Sequence, residues 1–341
     1  MLQEQASAKE ATKKALKENP FTTLWNALLA RNGTVAYLPI IFVAILMFCG
    51  ASWQIFWSST DAARYQCYAL VFWLGGGATK LLPSTQCFFL NSAAFTAAPF
   101  HTLPLEYPPL TLAIFSLSLL APIPYYQLLF ALWMALTAVL IYWLLLRYGP
   151  HGSALAFAIY ALVGAWATAE GRFDMVPAAL TLLCLIAAER KHWTAAYVAL
   201  VFGVLLKIYP ILFLPALFIA EQFNAQTFHR PQPTLTLKTA PSELWHTLRE
   251  ARHWRWKNTL IFLGILAGIT GIFALIDFQG AVVSQVTYFA HRPVQIESTG
   301  SIFLWIATKF GFPAYVVYTF GSLNIISRWD NAVSLLFGIA F

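Results

Sequence analysis

Leu110-Thr-Leu-Ala-Ile-Phe-Ser-Leu-Ser-Leu-Leu-Ala121 is an apolar stretch bracketed by Pro108 and Pro109 on one side and by Pro122 and Pro124 on the other. Coiled as a helix it is about 18 Å long, against a hydrocarbon core of about 30 Å. It is too short to cross a bilayer alone. The flanking prolines keep the helix from being lengthened in either direction. We read it as a re-entrant or interfacial helix. The reading decides the topology, because a crossing here would invert every segment that follows.

Outward from this stretch the chain is dominated by apolar segments. Of its 341 residues 59% are hydrophobic, 16% aromatic and only 10% charged, and mean hydropathy is +0.65. Those values exclude an ordinary soluble domain. The expected architecture is an all-α polytopic membrane protein. A polar tail, 1–35, carries Lys9, Lys13, Lys14 and Lys17 with no early apolar run of a cleavable signal. A weak amphipathic helix and a solvated tail both fit it. The membrane domain, 36–341, starts with a span at about 36–57 and a first outer loop, 58–124. Spans follow at about 125–146, 152–169 and 174–188. A paired segment, 192–206 and 209–221, is broken at Lys207-Ile-Tyr-Pro210. A basic loop, 222–257, leads to a span at 258–277, an outer loop, 278–330, and a last span that stops at Phe341. Its abrupt stop is what a truncated carboxyl end would give.

Charge supports this assignment. With the amino terminus inside and Leu110–Ala121 uncrossed, the 222–257 loop puts Arg230, Lys238, Arg249, Arg252, Arg255 and Lys257 in the cytoplasm, beside Arg147, Arg190 and Lys191. The outer segments keep Arg64, Lys80, Arg172, Arg292, Lys309 and Arg328. The alternative topology would expose the basic loop outside, against the positive-inside bias. The net charge of +7 is thus explained by topology rather than by nucleic acid. All four aspartates, Asp61, Asp174, Asp277 and Asp330, then face one compartment. Ionisable residues at the edge of apolar spans point to chemistry or binding there. Cys49 and Cys184 lie in spans and read as packing residues. Cys67 and Cys87 share the first outer loop, where a disulfide and two free thiols are both open.

Five segments carry candidate chemistry, each with a plainer structural reading beside it. Asp61 with Arg64 and Tyr65 could supply a general base, or Asp61 could simply cap a helix. Glu106-Tyr107-Pro-Pro-Leu110 could bind a sugar or a cation, or serve only as a rigid turn. Glu170-Gly-Arg172-Phe-Asp174 holds three charges in a turn that needs none, and Arg172 and Asp174 could merely neutralise each other. Lys207 stands in an apolar stretch at a proline break with Tyr209, where it could meet a lipid-borne phosphate or snorkel to an interface. His291-Arg292-Pro-Val-Gln295-Ile-Glu297 joins a proton carrier to a guanidinium fork suited to phosphate, and could also be an ordinary polar loop.

In this order, the segments resemble the GT-C superfamily of membrane glycosyltransferases, most closely glycosyltransferase family 87. The resemblance rests on Asp61, Glu106-Tyr-Pro-Pro-Leu110, Gly171-Arg-Phe-Asp174, Lys207-Ile-Tyr-Pro210, Arg292-Pro-Val-Gln-Ile-Glu-Ser298 and Val317-Tyr-Thr-Phe-Gly-Ser-Leu-Asn324. It implies a GT-C-like bundle whose large first outer loop carries short interfacial helices. It also implies a hexosyltransferase, for mannose by family analogy, in a bacterial plasma membrane with its active site extracytoplasmic. The donor would be a polyprenyl-phosphate sugar and the acceptor a lipid or glycan; membrane lipid is the surrounding partner. Asp61 would be the catalytic base, with His291 beside it in the catalytic set. Lys207, Tyr209, Arg292 and Arg172 would hold the donor phosphate. Arg64, Tyr65, Glu106, Tyr107, Asp174, Gln295 and Glu297 would shape the sugar and acceptor pocket. No cofactor is expected and no tightly bound metal. Asp61 departs from the family pattern in standing as a single acidic residue rather than a pair. The rival reading is a secondary transporter or lipid-carrier flippase, since a broken helix with a cation at depth is typical of transporters.

Overall fold

The computed structural model describes residues 20–31, 33–54, 61–83, 86–90, 101–226, 254–319 and 322–340. Most of the tail and most of the basic loop therefore lie outside the described residues. The helices, in chain order, are α1 (Pro20–Leu29), α2 (Leu38–Gln54), α3 (Asp61–Leu74), α4 (Thr111–Leu117), α5 (Tyr126–Tyr148) and α6 (Ser153–Tyr160). A π-turn, Ala161–Ala165, joins α6 to α7 (Trp166–Ala169). Then come α8 (Met175–Glu189), α9 (Trp193–Leu206), α10 (Phe213–Gln226), α11 (Lys257–Ile276) and α12 (Ser284–His291). A strand β1 (Val294–Gln295), α13 (Thr299–Thr308), strands β2 (Ala314–Thr319) and β3 (Ser322–Ser327), and α14 (Asp330–Ala340) complete the order.

Among the described residues three helical stretches are long and apolar enough to cross a membrane: Thr34–Ser52, Ile123–Tyr148 and Lys257–Ile276. The long α2 and α5 pack against each other, while the shorter α8 packs on α9 and α9 packs on the long α11. The chain is an all-α membrane protein in its bulk. The apolar stretch after Pro109 forms α4 and a short 3₁₀ turn, Ser118–Leu120, well short of a crossing. Pro108 and Pro109 carbonyls accept the first amide bonds of that helix, from Thr111 and Leu112. The break after α9 is built as the sequence suggests. Lys207 is extended (φ −155°, ψ 135°), and Pro210 sits early in the 3₁₀ turn Tyr209–Leu212, where its missing amide costs nothing. Gly203 packs against that turn, and a Cβ there would make ordinary van der Waals contact with the Pro210 ring at 3.5 Å.

The region 278–330 is more ordered than a loop. It holds α12, α13 and a three-stranded antiparallel sheet in the order β1-β3-β2, with Val294 opposite Ile325 and Val317 opposite Asn324. The β-branched pairs Val316-Val317 and Ile325-Ile326 favour this pleated conformation. Its small core is Val294, Leu304 and Ile325. The larger core runs under the first long connection and joins α2, α3, α4 and α5 around Tyr65, Phe115, Phe130 and Phe173. A disulfide between Cys67 and Cys87 ties α3 to the segment that follows it. Closing a loop of that length is worth about 3 kcal/mol in the chain-entropy account.

Candidate active site

Asp61 opens α3, one helical turn before Arg64. The Arg64 guanidinium lies 3.6 Å from one Asp61 oxygen and donates a hydrogen bond to Glu106, which the proline-fixed loop presents from the other side. The second Asp61 oxygen accepts from Nε of Arg172 at 2.6 Å. Arg172 belongs to the tight turn between α7 and α8, and so does Asp174, which accepts a hydrogen bond from the Lys207 ammonium. Four segments distant in sequence thus form one row of alternating charge: Glu106, Arg64, Asp61, Arg172, Asp174, Lys207. Tyr209 stands within electrostatic reach of Asp174.

The floor of this row is aromatic. Tyr65 stacks on Phe115 with centroids 4.2 Å apart and planes 5° from parallel. Tyr107 and Phe173 meet both rings edge-on, at 5.4–5.8 Å for Phe115 and 5.5 Å for Tyr65. Such pairs each add about 0.5–1.5 kcal/mol beyond their buried area. They also hold the charged row against a low-dielectric surface, which strengthens its electrostatics. Lys207 lies 5.7 Å from the Phe173 centroid and Arg64 lies 4.9 Å from that of Phe89.

Burial pushes the Glu106 carboxyl above its ordinary range, more than the Arg64 and Arg292 charges pull it down. Burial raises the Tyr107 phenol too. Burial opposes the charge on Arg172, yet the Asp61 carboxylate holds the guanidinium pKa above its usual value. Glu106 yields a pH prediction. Its folded-state pKa lies above the unfolded value near 4.5, so its stability contribution is fully present below that pH. The contribution is lost as pH rises through the folded pKa. Glu106→Gln keeps the shape without the titration and should remove that slope from thermal unfolding followed between about pH 4 and 7. Parallel curves for the two proteins would show that Glu106 is not the group responsible.

The sheet region faces the same row. Arg292 bonds through Nη2 to Gln295 at 2.9 Å and to Ser322 at 3.1 Å, while its Nε is buried without a hydrogen-bond partner. Its charge reaches Glu106, and Tyr318 of β2 reaches Arg64. Glu297 is exposed and only accepts from Gln295, at 3.4 Å, so it extends the Arg292 cluster outward rather than entering the row. His291 ends α12, and its side chain lies outside the described residues. Two of the four aspartates are structural. Asp277 accepts the Gly280 amide at 3.0 Å, and Asp330 accepts the Asn331 amide at 2.7 Å.

Some contributors escape sequence reasoning. Gln285 donates to the Tyr107 carbonyl at 2.9 Å and to the Pro104 carbonyl at 3.3 Å, fastening α12 to the Glu106 loop. Tyr288 lies 5.0 Å beneath the Arg292 guanidinium. The signal was their spacing, since Gln285, Tyr288 and Arg292 recur at i, i+3 and i+7 on one helical face. Glu170 is 2% exposed beneath α2, where a side chain at Gly50 would overlap Glu170 and Trp166.

A cleft of about 480 Å³ runs from the row along the π-turn. Tyr160, Val163, Gly164, Thr168 and Met175 line it, with Arg172 and Asp174 at its polar end. A helical membrane protein that sets an ion-paired carboxylate over an aromatic floor, beside an apolar cleft, has the parts of a membrane-embedded enzyme. Residues 105–228 match the family model of Glycosyltransferase family 87. The matched segment carries Glu106, Arg172, Asp174 and Lys207. Asp61 and Arg64 lie before it and Arg292 after it. No curated protein and no solved structure matches the chain.

Proposed function

We propose that the protein transfers a hexose, mannose by family analogy, from a polyprenyl-phosphate donor to a lipid or glycan acceptor on the extracytoplasmic side. The observation that carries this reading is the cleft. Its apolar walls suit an isoprenoid chain, and its polar end opens at Arg172 beside the Asp174–Lys207 pair. A soluble nucleotide-sugar would have no use for such a wall. In this scheme Asp61 takes the proton of the acceptor hydroxyl, whose oxygen attacks the anomeric carbon as the bond to the lipid phosphate breaks, with inversion. Lys207, Arg172 and Arg292 balance the departing phosphate, which gains a second negative charge as its bond to the anomeric carbon breaks, so that no tightly bound metal is required. The unpartnered Nε of Arg292 is a donor free for that oxygen. The Cys67–Cys87 disulfide fits an oxidising, extracytoplasmic setting.

The test is sugar transfer by the purified protein in liposomes, with a panel of polyprenyl-phosphate sugars. Transfer from one of them supports the reading; transfer only from nucleotide-sugars would overturn it. Gly164 gives a sharper check. A Cβ there meets nothing within 4 Å, and the residue lines the cleft. Gly164→Leu should raise KM for the lipid-linked donor about tenfold with little change in kcat, the mark of lost ground-state binding. Thermal stability should hold or rise, because leucine is the better helix former. An unchanged KM would remove the cleft from the donor path.

A further inference from the structure

The other end of the helical bundle holds a buried polar cluster that the transfer reaction does not use. Thr194 and Tyr197 stand in the first turns of α9, about 15–20 Å along the helix from Lys207. Glu221 and Gln222 belong to the last turns of α10, and Asn258 and Thr259 to the first turn of α11. Glu221 is 4% exposed and Tyr197 fully buried. Thr194 donates to the Asn258 oxygen at 2.8 Å, and the Asn258 amide donates to one Glu221 oxygen at 2.7 Å. The other Glu221 oxygen, the Tyr197 hydroxyl and the Thr259 hydroxyl are buried and make no close hydrogen bond, Tyr197 reaching the other two only at long, weak hydrogen-bonding range. They face one another, for Tyr197 looks onto both the Glu221 and Thr259 side chains. Among the described residues no lysine, arginine or histidine forms an ion pair with Glu221.

A buried carboxyl group without a basic partner is costly, and the two hydroxyl oxygens beside it, lacking a close hydrogen bond, add to the cost. One positive charge ligated by hard oxygens answers both needs. We propose that Glu221, Tyr197 and Thr259 form a binding site for a monovalent alkali cation. Oxygen donors suit a hard cation, and a single carboxylate balances a single charge. The site joins three helices at the neck of the 227–253 segment. There Gln222 also clamps the chain by accepting from the Arg255 amide at 2.8 Å and donating to its carbonyl at 3.3 Å. An ion here therefore fixes how α10 and α11 meet. The inference is independent of the donor and of the Asp61 chemistry.

The experiment is thermal unfolding of the purified, detergent-solubilised protein in sodium, potassium or choline chloride at constant ionic strength. An alkali cation should raise Tm saturably over choline, by roughly 3 °C at ten times its Kd. Glu221→Gln should abolish the response. Tyr197→Phe and Thr259→Val, which each remove one oxygen and leave the carboxylate, should weaken it; they carry the test if the glutamine variant does not fold. Equal Tm in all three salts would overturn the proposal. So would an alkali-cation response as large in Glu221→Gln as in the wild type.

Discussion

Asp61→Asn is expected to lower kcat for sugar transfer by roughly 10²–10⁴-fold, the range that a positioned general base contributes. The substitution keeps the size of the side chain and leaves an amide oxygen that can still accept from Arg172. It removes only the ability to take a proton. The fold should survive, because Arg64 keeps Glu106 as its partner. A matched melting temperature with lost turnover would therefore assign the loss to chemistry. The position of Asp61 fits the role. Its carboxylate is 25% exposed between two guanidinium groups, open enough to meet an acceptor hydroxyl. Transfer that persists at more than about a tenth of the wild-type rate would move the base elsewhere, with His291 the next residue to replace.

Lys207→Met should lower kcat/KM about 10²–10³-fold, the scale set by losing one preorganised charge at a developing anion. Two explanations would share that result. Lys207 could hold the donor phosphate, or it could only neutralise Asp174. The double variant Lys207→Met with Asp174→Asn separates them. If the lysine only neutralises, removing both charges restores activity; if it meets the phosphate, the double variant stays as slow as the single one. Stability should change little in either variant. Both side chains are about two-fifths exposed, and solvent screens a pair of that kind. A restored double variant would withdraw Lys207 from the phosphate site and leave Arg172 and Arg292 to carry it.

Much of the scaffold was legible because membrane helices advertise themselves. Apolar length and flanking prolines placed α2, α5 and α11, the short α4 and the break at Lys207 within a few residues of where they stand. The sheet in 278–330 was not legible in the same way. Val316, Val317, Ile325 and Ile326 favour strands, but polar and aromatic residues interrupt them, and the pairing of β1 with β3 joins residues about thirty apart. The structural roles of Asp277 and Asp330 were also hidden. An aspartate beside a span looks the same in sequence whether it caps a turn or meets a substrate.

The sequence by itself determined that the chain is helical and apolar enough for a membrane, that Leu110–Ala121 is too short to cross one alone, and which segments carry charge at the ends of apolar helices. These follow from local quantities: hydropathy, helix rise and the fixed geometry of proline. Only the tertiary structure decided which charges meet. Arg64 finds Glu106 across 42 residues, Arg172 finds Asp61 across 111, and Lys207 finds Asp174 across 33. Ion pairs of that span depend on how α3, α8 and α9 are set against one another by packing of the aromatic floor. Packing is a property of surfaces brought together in space, and no local pattern along the chain encodes it.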